Sequence, residues 1–117
     1  MKKIYHLSTC DTCKRILNEL DIPDTFELQD IKTEEITEEQ LDEMHKLSGS
    51  YEALFSKRAR LYKERDLKNK DLKEDDFKNL ILEHYTFLKR PVIVNGDEIF
   101  IGNSKKNVAA AKESIHG

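Results

Sequence analysis

The sequence has little of several features that would define other classes of protein. Its 117 residues include no Trp, two Cys, two Pro and four Gly, and the formal net charge is only −3. Without an excess of Lys and Arg, no overall positive field attracts nucleic acid. No apolar run approaches the length of a membrane span, and the basic start at residues 1–3 leads directly into a strand pattern, unlike a signal peptide. These absences predict a small, charged globular protein that binds neither nucleic acid nor a membrane.

Both cysteines lie in one short segment, Cys10-Asp11-Thr12-Cys13, after an apolar run and at the start of a predicted helix. This spacing lets one thiolate attack a substrate while the second thiol stays within reach to close a disulfide. The free N–H groups and the dipole at a helix N-terminus lower the pKa of a thiol there, and Lys14 and Arg15 are expected to act in the same direction. The pattern is typical of a redox motif.

Two other interpretations of the cysteine pair are weaker. A structural zinc site needs four ligands, but there is no second Cys pair, and His45, His84 and His116 are scattered along the chain. A structural disulfide would close a very short loop, and the stabilisation that a disulfide brings grows with loop length. We therefore expect redox chemistry without a bound metal or organic cofactor, in the reducing cytoplasm.

Hydrophobic periodicity and turn signals predict nine elements or segments. In chain order they are a strand over 3–7, a helix over 11–20, a strand over 25–31, a helix opening at Thr37, short helical stretches within 51–72, a helix over 75–88, strands over 92–94 and 98–101 joined by Asn95-Gly96, and a helix from Asn103 or Ser104 to about Ile115.

This order has a βαβ unit at the front and a ββα unit at the back. It predicts a thioredoxin-like α/β fold with a mixed four-stranded sheet, forming a single domain over 1–117 with a helical insert over about 37–88. In such folds a proline that opens the third strand faces the redox cysteine, usually after a cis peptide bond. We therefore predict a cis bond before Pro91.

Three segments resemble the arsenate reductase family of the glutaredoxin-linked type, which also includes the Spx transcription regulators. They are Ile4-Tyr5-His6 followed by Cys10, the basic segment 58–63, and the segment 88–94 followed by Gly102. The resemblance implies that Cys10 is the nucleophilic thiolate and that His6 lies close to the cysteine loop. It also implies that Arg90 holds an anionic substrate or lowers the pKa of Cys10.

The chain differs from arsenate reductases at two positions where, in an ungapped comparison, the family has arginines that help to hold arsenate. These positions are Ser56 and Asn103, whereas Arg58 matches the central arginine of Spx-like members, which also resemble this chain in having a second cysteine, Cys13.

The resemblance therefore leaves two functions open. One is a thiol–disulfide oxidoreductase in which Cys13 resolves the intermediate. Its substrate would be arsenate or another small oxyanion, or a thiol or disulfide, and its electron donor would be glutathione with glutaredoxin, or thioredoxin. The other is a redox-switched regulator that binds RNA polymerase.

Overall fold

Four strands and five α-helices make up the structure, a computed structural model that describes all 117 residues. The strands are β1 (Lys2–His6), β2 (Glu27–Asp30), β3 (Val92–Asn95) and β4 (Glu98–Ile101). The helices are α1 (Asp11–Leu20), α2 (Glu38–Ser48), α3 (Arg60–Glu64), α4 (Glu74–Glu83) and α5 (Lys105–His116). Single 3-10 turns lie at Glu52–Leu54, Leu67–Asn69 and Tyr85–Phe87.

The chain divides into two compact units. The first consists of residues 1–35 and 90–117, and the second of residues 36–89. The second unit therefore has nearly the bounds predicted for the helical insert. That the two units form a single domain stays a prediction.

All four strands belong to the first unit and form one mixed sheet in the order β2-β1-β3-β4. β1 pairs parallel with β2 and antiparallel with β3, and β3 pairs antiparallel with β4. The parallel pair β1–β2 is connected through α1 and the antiparallel pair β3–β4 through a two-residue loop, as strand direction permits. The predicted α/β class, with βαβ and ββα units around a four-stranded sheet, is confirmed.

The hairpin between β3 and β4 turns one residue later than predicted. Asn95 pairs with Glu98, so the two loop residues are Gly96 and Asp97. Gly96 has φ +64°, a conformation that glycine adopts without steric cost. Asn95 instead stays in the strand, and its side-chain amide donates to the Oγ and the carbonyl of Ser114 at 3.0 and 3.2 Å. These bonds tie the hairpin to α5.

The core of the first unit lies between one face of the sheet and the two helices α1 and α5. Its members are buried apolar side chains at strand alternation or helical spacing: Ile4 and Ile93 from the sheet, Phe26 before β2, Ile16 and Leu20 from α1, and Val108 and Ala111 from α5. This packing sets the position of α1 and therefore of the cysteine pair at its start.

The second unit has its own aromatic core and a helix that ends earlier than predicted. The Phe55 ring packs against those of Phe77 and Phe87, with centroids 4.9 and 5.3 Å apart. α4 ends at Glu83 rather than at residue 88. His84 is extended (φ −151°, ψ 132°), and its Nδ1 accepts a hydrogen bond from the Thr86 N–H at 3.0 Å, which starts a 3-10 turn instead of a further α turn.

Candidate redox-active site

Cys10 occupies the residue immediately before α1, the N-cap position. Its backbone is extended (φ −95°, ψ 113°), its N–H donates to the Leu7 carbonyl at 3.0 Å, and its own carbonyl accepts the Lys14 N–H at 3.1 Å. Ser, Thr, Asp or Asn at this position usually accepts a hydrogen bond from an N–H of the first turn, but Cys10 makes no side-chain capping hydrogen bond. The N–H groups at the start of the helix are therefore left to favour a negative charge on the sulfur.

The pKa of Cys10 is lowered from its ordinary value. Partial burial acts to raise this pKa, but the N–H and thiol of Cys13, the positive charge of Arg90 and the N–H of Thr12 together outweigh the burial. A thiolate, rather than a thiol, is the nucleophilic form of cysteine. Cys10 therefore has the electrostatic surroundings of a reactive cysteine.

Cys13 has the opposite properties, although it lies on the first turn of the same helix. Its side chain is 1% exposed, whereas Cys10 is partly exposed, and both are free thiols. Burial raises the pKa of Cys13 to about 11, and a negative charge on Cys10 acts in the same direction. At neutral pH Cys13 is therefore a protonated thiol, whereas Cys10 is more acidic and more accessible to solvent.

Arg90 and Pro91 form the approach to β3, and the peptide bond between them is cis, as predicted. Pro91 is buried, and its carbonyl accepts the Gly102 N–H at 2.9 Å, which fixes this segment against the end of β4. The Nε of Arg90 is buried, and its positive charge acts to lower the pKa of Cys10. Arg90 is therefore one predicted site cation whose charge favours the thiolate form of Cys10.

The other cations predicted to act on the cysteines or at the site are exposed. Lys14 and Arg15, expected to lower the thiol pKa because they follow the motif, are exposed, whereas the charge of Arg90 is among the main causes that lower the pKa of Cys10. Arg58 is exposed in the second unit, just before α3, and its place in the site stays a prediction.

His6 ends β1 and lies opposite Asp30 at the end of β2, because the two parallel strands finish at the same edge of the sheet. The Asp30 carboxylate accepts two hydrogen bonds from Ser8, one from its N–H at 3.2 Å and one from its Oγ at 2.5 Å. The hydroxyl bond from Ser8 is the main cause that lowers the pKa of Asp30. Ser8 and Asp30 were not among the predicted site residues. The available signal was that Asp30 ends the second strand of a βαβ unit.

No group of three or more His, Cys, Asp or Glu side chains is arranged to hold a metal ion. None of the helices combines the length and apolar composition needed to cross a membrane. Ser56 lies in the second unit, where its N–H donates to the Phe87 carbonyl at 2.7 Å, and Asn103 is exposed between β4 and α5.

The sheet, the flanking helices and the paired cysteines at the start of α1 define a thioredoxin-like α/β protein with a dithiol motif. The model of the ArsC family matches residues 5–111, and the chain belongs to this family. None of the curated proteins matches the sequence.

Solved structures support the fold. An arsenate reductase from Vibrio cholerae has a TM-score of 0.77 at 22% identity, with 94% of this chain and 96% of that chain covered. A Staphylococcus aureus protein solved by NMR has a TM-score of 0.72 at 29% identity, covering 94% and 97%. An arsenate reductase related protein from Brucella melitensis has a TM-score of 0.70 at 23% identity, covering 93% and 92%. Membership of the ArsC family supports assignment to a family of thiol-dependent oxidoreductases, and the structural similarities support the fold.

Proposed function

We propose that this protein is a thiol–disulfide oxidoreductase in which Cys10 is the nucleophile and Cys13 the resolving thiol. The observation that carries the proposal is the opposed pair of pKa shifts within one helical turn. The pKa of the partly exposed Cys10 is lowered, and that of the buried Cys13 is raised to about 11. Such a pair separates the roles of attack and resolution between the two sulfurs.

In the first step the Cys10 thiolate attacks one sulfur of a disulfide substrate such as a glutathione mixed disulfide. A bond forms between Cys10 and that sulfur, the substrate S–S bond breaks, and the departing thiolate takes up a proton. The guanidinium of Arg90, whose charge already favours the Cys10 thiolate, also suits an anionic substrate group.

In the second step Cys13 gives up its proton and its thiolate attacks the sulfur of Cys10. The mixed disulfide breaks, the released substrate thiolate takes up the proton, and a Cys10–Cys13 disulfide remains. The substrate has then gained two electrons from the cysteine pair. A donor thiol system, glutathione with glutaredoxin, or thioredoxin, returns two electrons and two protons to the pair.

Arsenate is a second substrate class within the same proposal. Here the Cys10 thiolate would form an arsenic–sulfur bond while one arsenic–oxygen bond breaks and that oxygen leaves as water, and glutathione and glutaredoxin would supply the two electrons that reduce arsenic. Arg90 would hold the oxyanion, with His6 beside the cysteine loop. The neutral residues Ser56 and Asn103, at positions where the arsenate enzymes have arginines, favour a thiol or disulfide substrate over arsenate.

The test measures the reduction potential of the Cys10–Cys13 pair and arsenate turnover on the same sample, with glutathione and glutaredoxin present. A reversible disulfide at roughly −200 to −300 mV, without arsenate turnover, supports the dithiol oxidoreductase. Arsenate turnover that survives Cys13→Ser but is lost in Cys10→Ser identifies an arsenate reductase. A pair that forms no disulfide, in a protein whose Cys10 has an ordinary pKa, contradicts both.

A redox-switched regulator is the second candidate, because a dithiol that closes reversibly can act as a switch as well as a catalyst. The exposed Arg58, which matches Spx-like members, favours a partner surface over a buried role. Binding of purified RNA polymerase to the oxidised and the reduced protein tests this. Equal binding, or none in either state, rejects the regulator. A cytoplasmic location is part of both proposals, since both require periodic reduction of the pair.

A further inference from the structure

The loop that delivers Cys10 to the start of α1 is held by a carboxylate from a different strand. Ser8 lies in this loop, two residues before Cys10, and both its N–H and its hydroxyl donate to Asp30, at 3.2 and 2.5 Å. The same Asp30 oxygen that accepts the Ser8 N–H also accepts the Lys32 N–H at 3.2 Å. One carboxylate thus joins the loop after β1 to the turn after β2.

The backbone around Asp30 is held in place by hydrogen bonds. Asp30 pairs with His6 at the end of the parallel strands, and the backbone carbonyl of Asp30 accepts the Glu34 N–H at 2.8 Å in the following turn. The next residue, Ile31, donates to the His6 carbonyl at 2.9 Å. Since the backbone on both sides of Asp30 is hydrogen-bonded, its carboxylate has little freedom to follow a moving loop.

Of the causes that lower the Cys10 pKa, most are local, because Thr12 and Cys13 lie in the first turn of the helix that follows Cys10. The charge of Arg90 comes from another element, the segment before β3. A Coulombic contribution depends on distance, so it persists only while the loop holds Cys10 in place.

We propose that Asp30 is a positioning residue for Cys10, holding the loop through Ser8 so that the thiolate stays at the start of α1 and near Arg90. The inference rests on the proposed function, because it assigns a role in preparing the Cys10 nucleophile. Asp30 neither touches the substrate nor transfers a proton in this scheme.

The test is the pH profile of Cys10 alkylation by iodoacetamide in the reduced full-length protein, with the modified cysteine assigned by peptide sequencing in the mass spectrometer. Asp30→Ala removes all three acceptor contacts. We expect the midpoint of the profile to rise by up to about one pH unit, and the rate below the wild-type midpoint to fall about three- to tenfold. Ser8→Ala, which keeps the N–H bond, should shift the midpoint in the same direction by less.

Asp30→Asn separates position from charge. Its amide oxygen can still accept the two N–H groups and its NH₂ can donate to the Ser8 hydroxyl, so we expect a profile close to wild type. Loss of a negative charge alone would lower the Cys10 midpoint, which is opposite in sign to the expected rise with alanine. Asp24→Ala, an exposed aspartate of the same unit, is the matched control and should leave the profile unchanged.

Three results overturn the inference: an unchanged profile in folded Asp30→Ala, equal shifts in the alanine and asparagine variants, or a fall in the midpoint. If Asp30→Ala does not fold, as judged by circular dichroism, Ser8→Ala decides. A wild-type Cys10 that titrates as an ordinary thiol overturns the proposed function as well. A lowered wild-type midpoint that Asp30→Ala and Ser8→Ala leave in place overturns only the role of Asp30.

Discussion

Helices α1 and α2 begin in opposite ways. At α2, Thr37 accepts the Gln40 N–H and the Gln40 side chain accepts the Thr37 N–H, both at 3.1 Å, in a complete capping box. At α1 the equivalent position is Cys10, which makes no such bond. A good cap stabilises a helix by about 1 kcal/mol. The start of α2 therefore contributes stability, whereas the start of α1 leaves its N–H groups to favour a thiolate.

The body of α1 compensates for its weak start. Ile16 and Leu20 are fully buried in the core between the sheet and the two helices, and burial of such side chains contributes about 1.5–3 kcal/mol each. This exceeds the contribution of a cap, so tertiary packing holds α1 in place without one. Reactivity at a helix start is therefore compatible with a stable fold when the apolar face of the helix is well buried.

The largest expected effect comes from making α1 begin as α2 does. Cys10→Ser places a good capping residue at the start of α1 and removes the nucleophile. We expect disulfide exchange to fall by at least about a thousandfold, while the free energy of unfolding stays equal or rises by about 0.5–1 kcal/mol. Turnover of a glutathione mixed disulfide and urea unfolding of the reduced protein measure the two effects. A variant that keeps its exchange activity would contradict the role of Cys10.

Cys13, the buried thiol on the first turn of α1, is expected to make the free energy of unfolding depend on pH. Its pKa is raised by burial from 9.0 to about 11, so the unfolded chain loses this proton first as the pH rises. The contribution of Cys13 to stability is thus complete below about pH 9 and is lost as the pH rises through about 11. We expect the wild-type protein to lose about 1–3 kcal/mol more than Cys13→Ala over this range.

Urea unfolding at several pH values, with a phosphine reductant present, tests this difference. The Cys13→Ala variant is the control for the tyrosines and lysines that titrate over the same range. Parallel stability curves for the two proteins would show that Cys13 is not held as a buried neutral thiol.

Removal of the α2 cap is expected to lower stability without changing the reactivity of Cys10. Thr37→Ala removes the side-chain acceptor for the Gln40 N–H, and we expect a loss of about 1 kcal/mol in the free energy of unfolding. The Cys10 alkylation rate should not change. Thr25→Ala, at an exposed threonine outside the helices, is the matched control. An equal loss of unfolding free energy in Thr37→Ala and in the control would mean that the capping box of α2 does not stabilise the protein.

The smallest expected effect distinguishes a cation brought to Cys10 by the fold from a cation that is near Cys10 in the sequence. Arg90→Gln removes the charge that acts on Cys10, and we expect the Cys10 pKa to rise by about half a unit to one unit. Arg15→Gln, at an exposed arginine on α1, should leave this pKa unchanged. The pH profile of alkylation measures both. Equal shifts of the Cys10 pKa in the two variants would show that a cation next to the motif in sequence acts on Cys10 as strongly as Arg90 does.

Local patterns predicted most elements, and the errors in their bounds have identifiable physical causes. The span of α1 was predicted from its apolar spacing and is confirmed residue for residue. The β2 strand is shorter than predicted because it pairs with β1 only from Glu27 to Asp30. The end of α4 was wrong because a side-chain bond at His84 competes with the helix, and periodicity contains no information about such a bond.

By itself, the sequence determined the dithiol motif, the order of the elements and the family, because spacing and periodicity are properties of neighbouring residues. The tertiary structure decided the electrostatics of the site. Packing brings the charge of Arg90, which the family resemblance had already indicated, to act on Cys10, and Asp30 holds the loop through Ser8. The physical reason is that pKa values and hydrogen bonds depend on distance and burial. For residues far apart in the chain, only the packing of sheet and helices sets these.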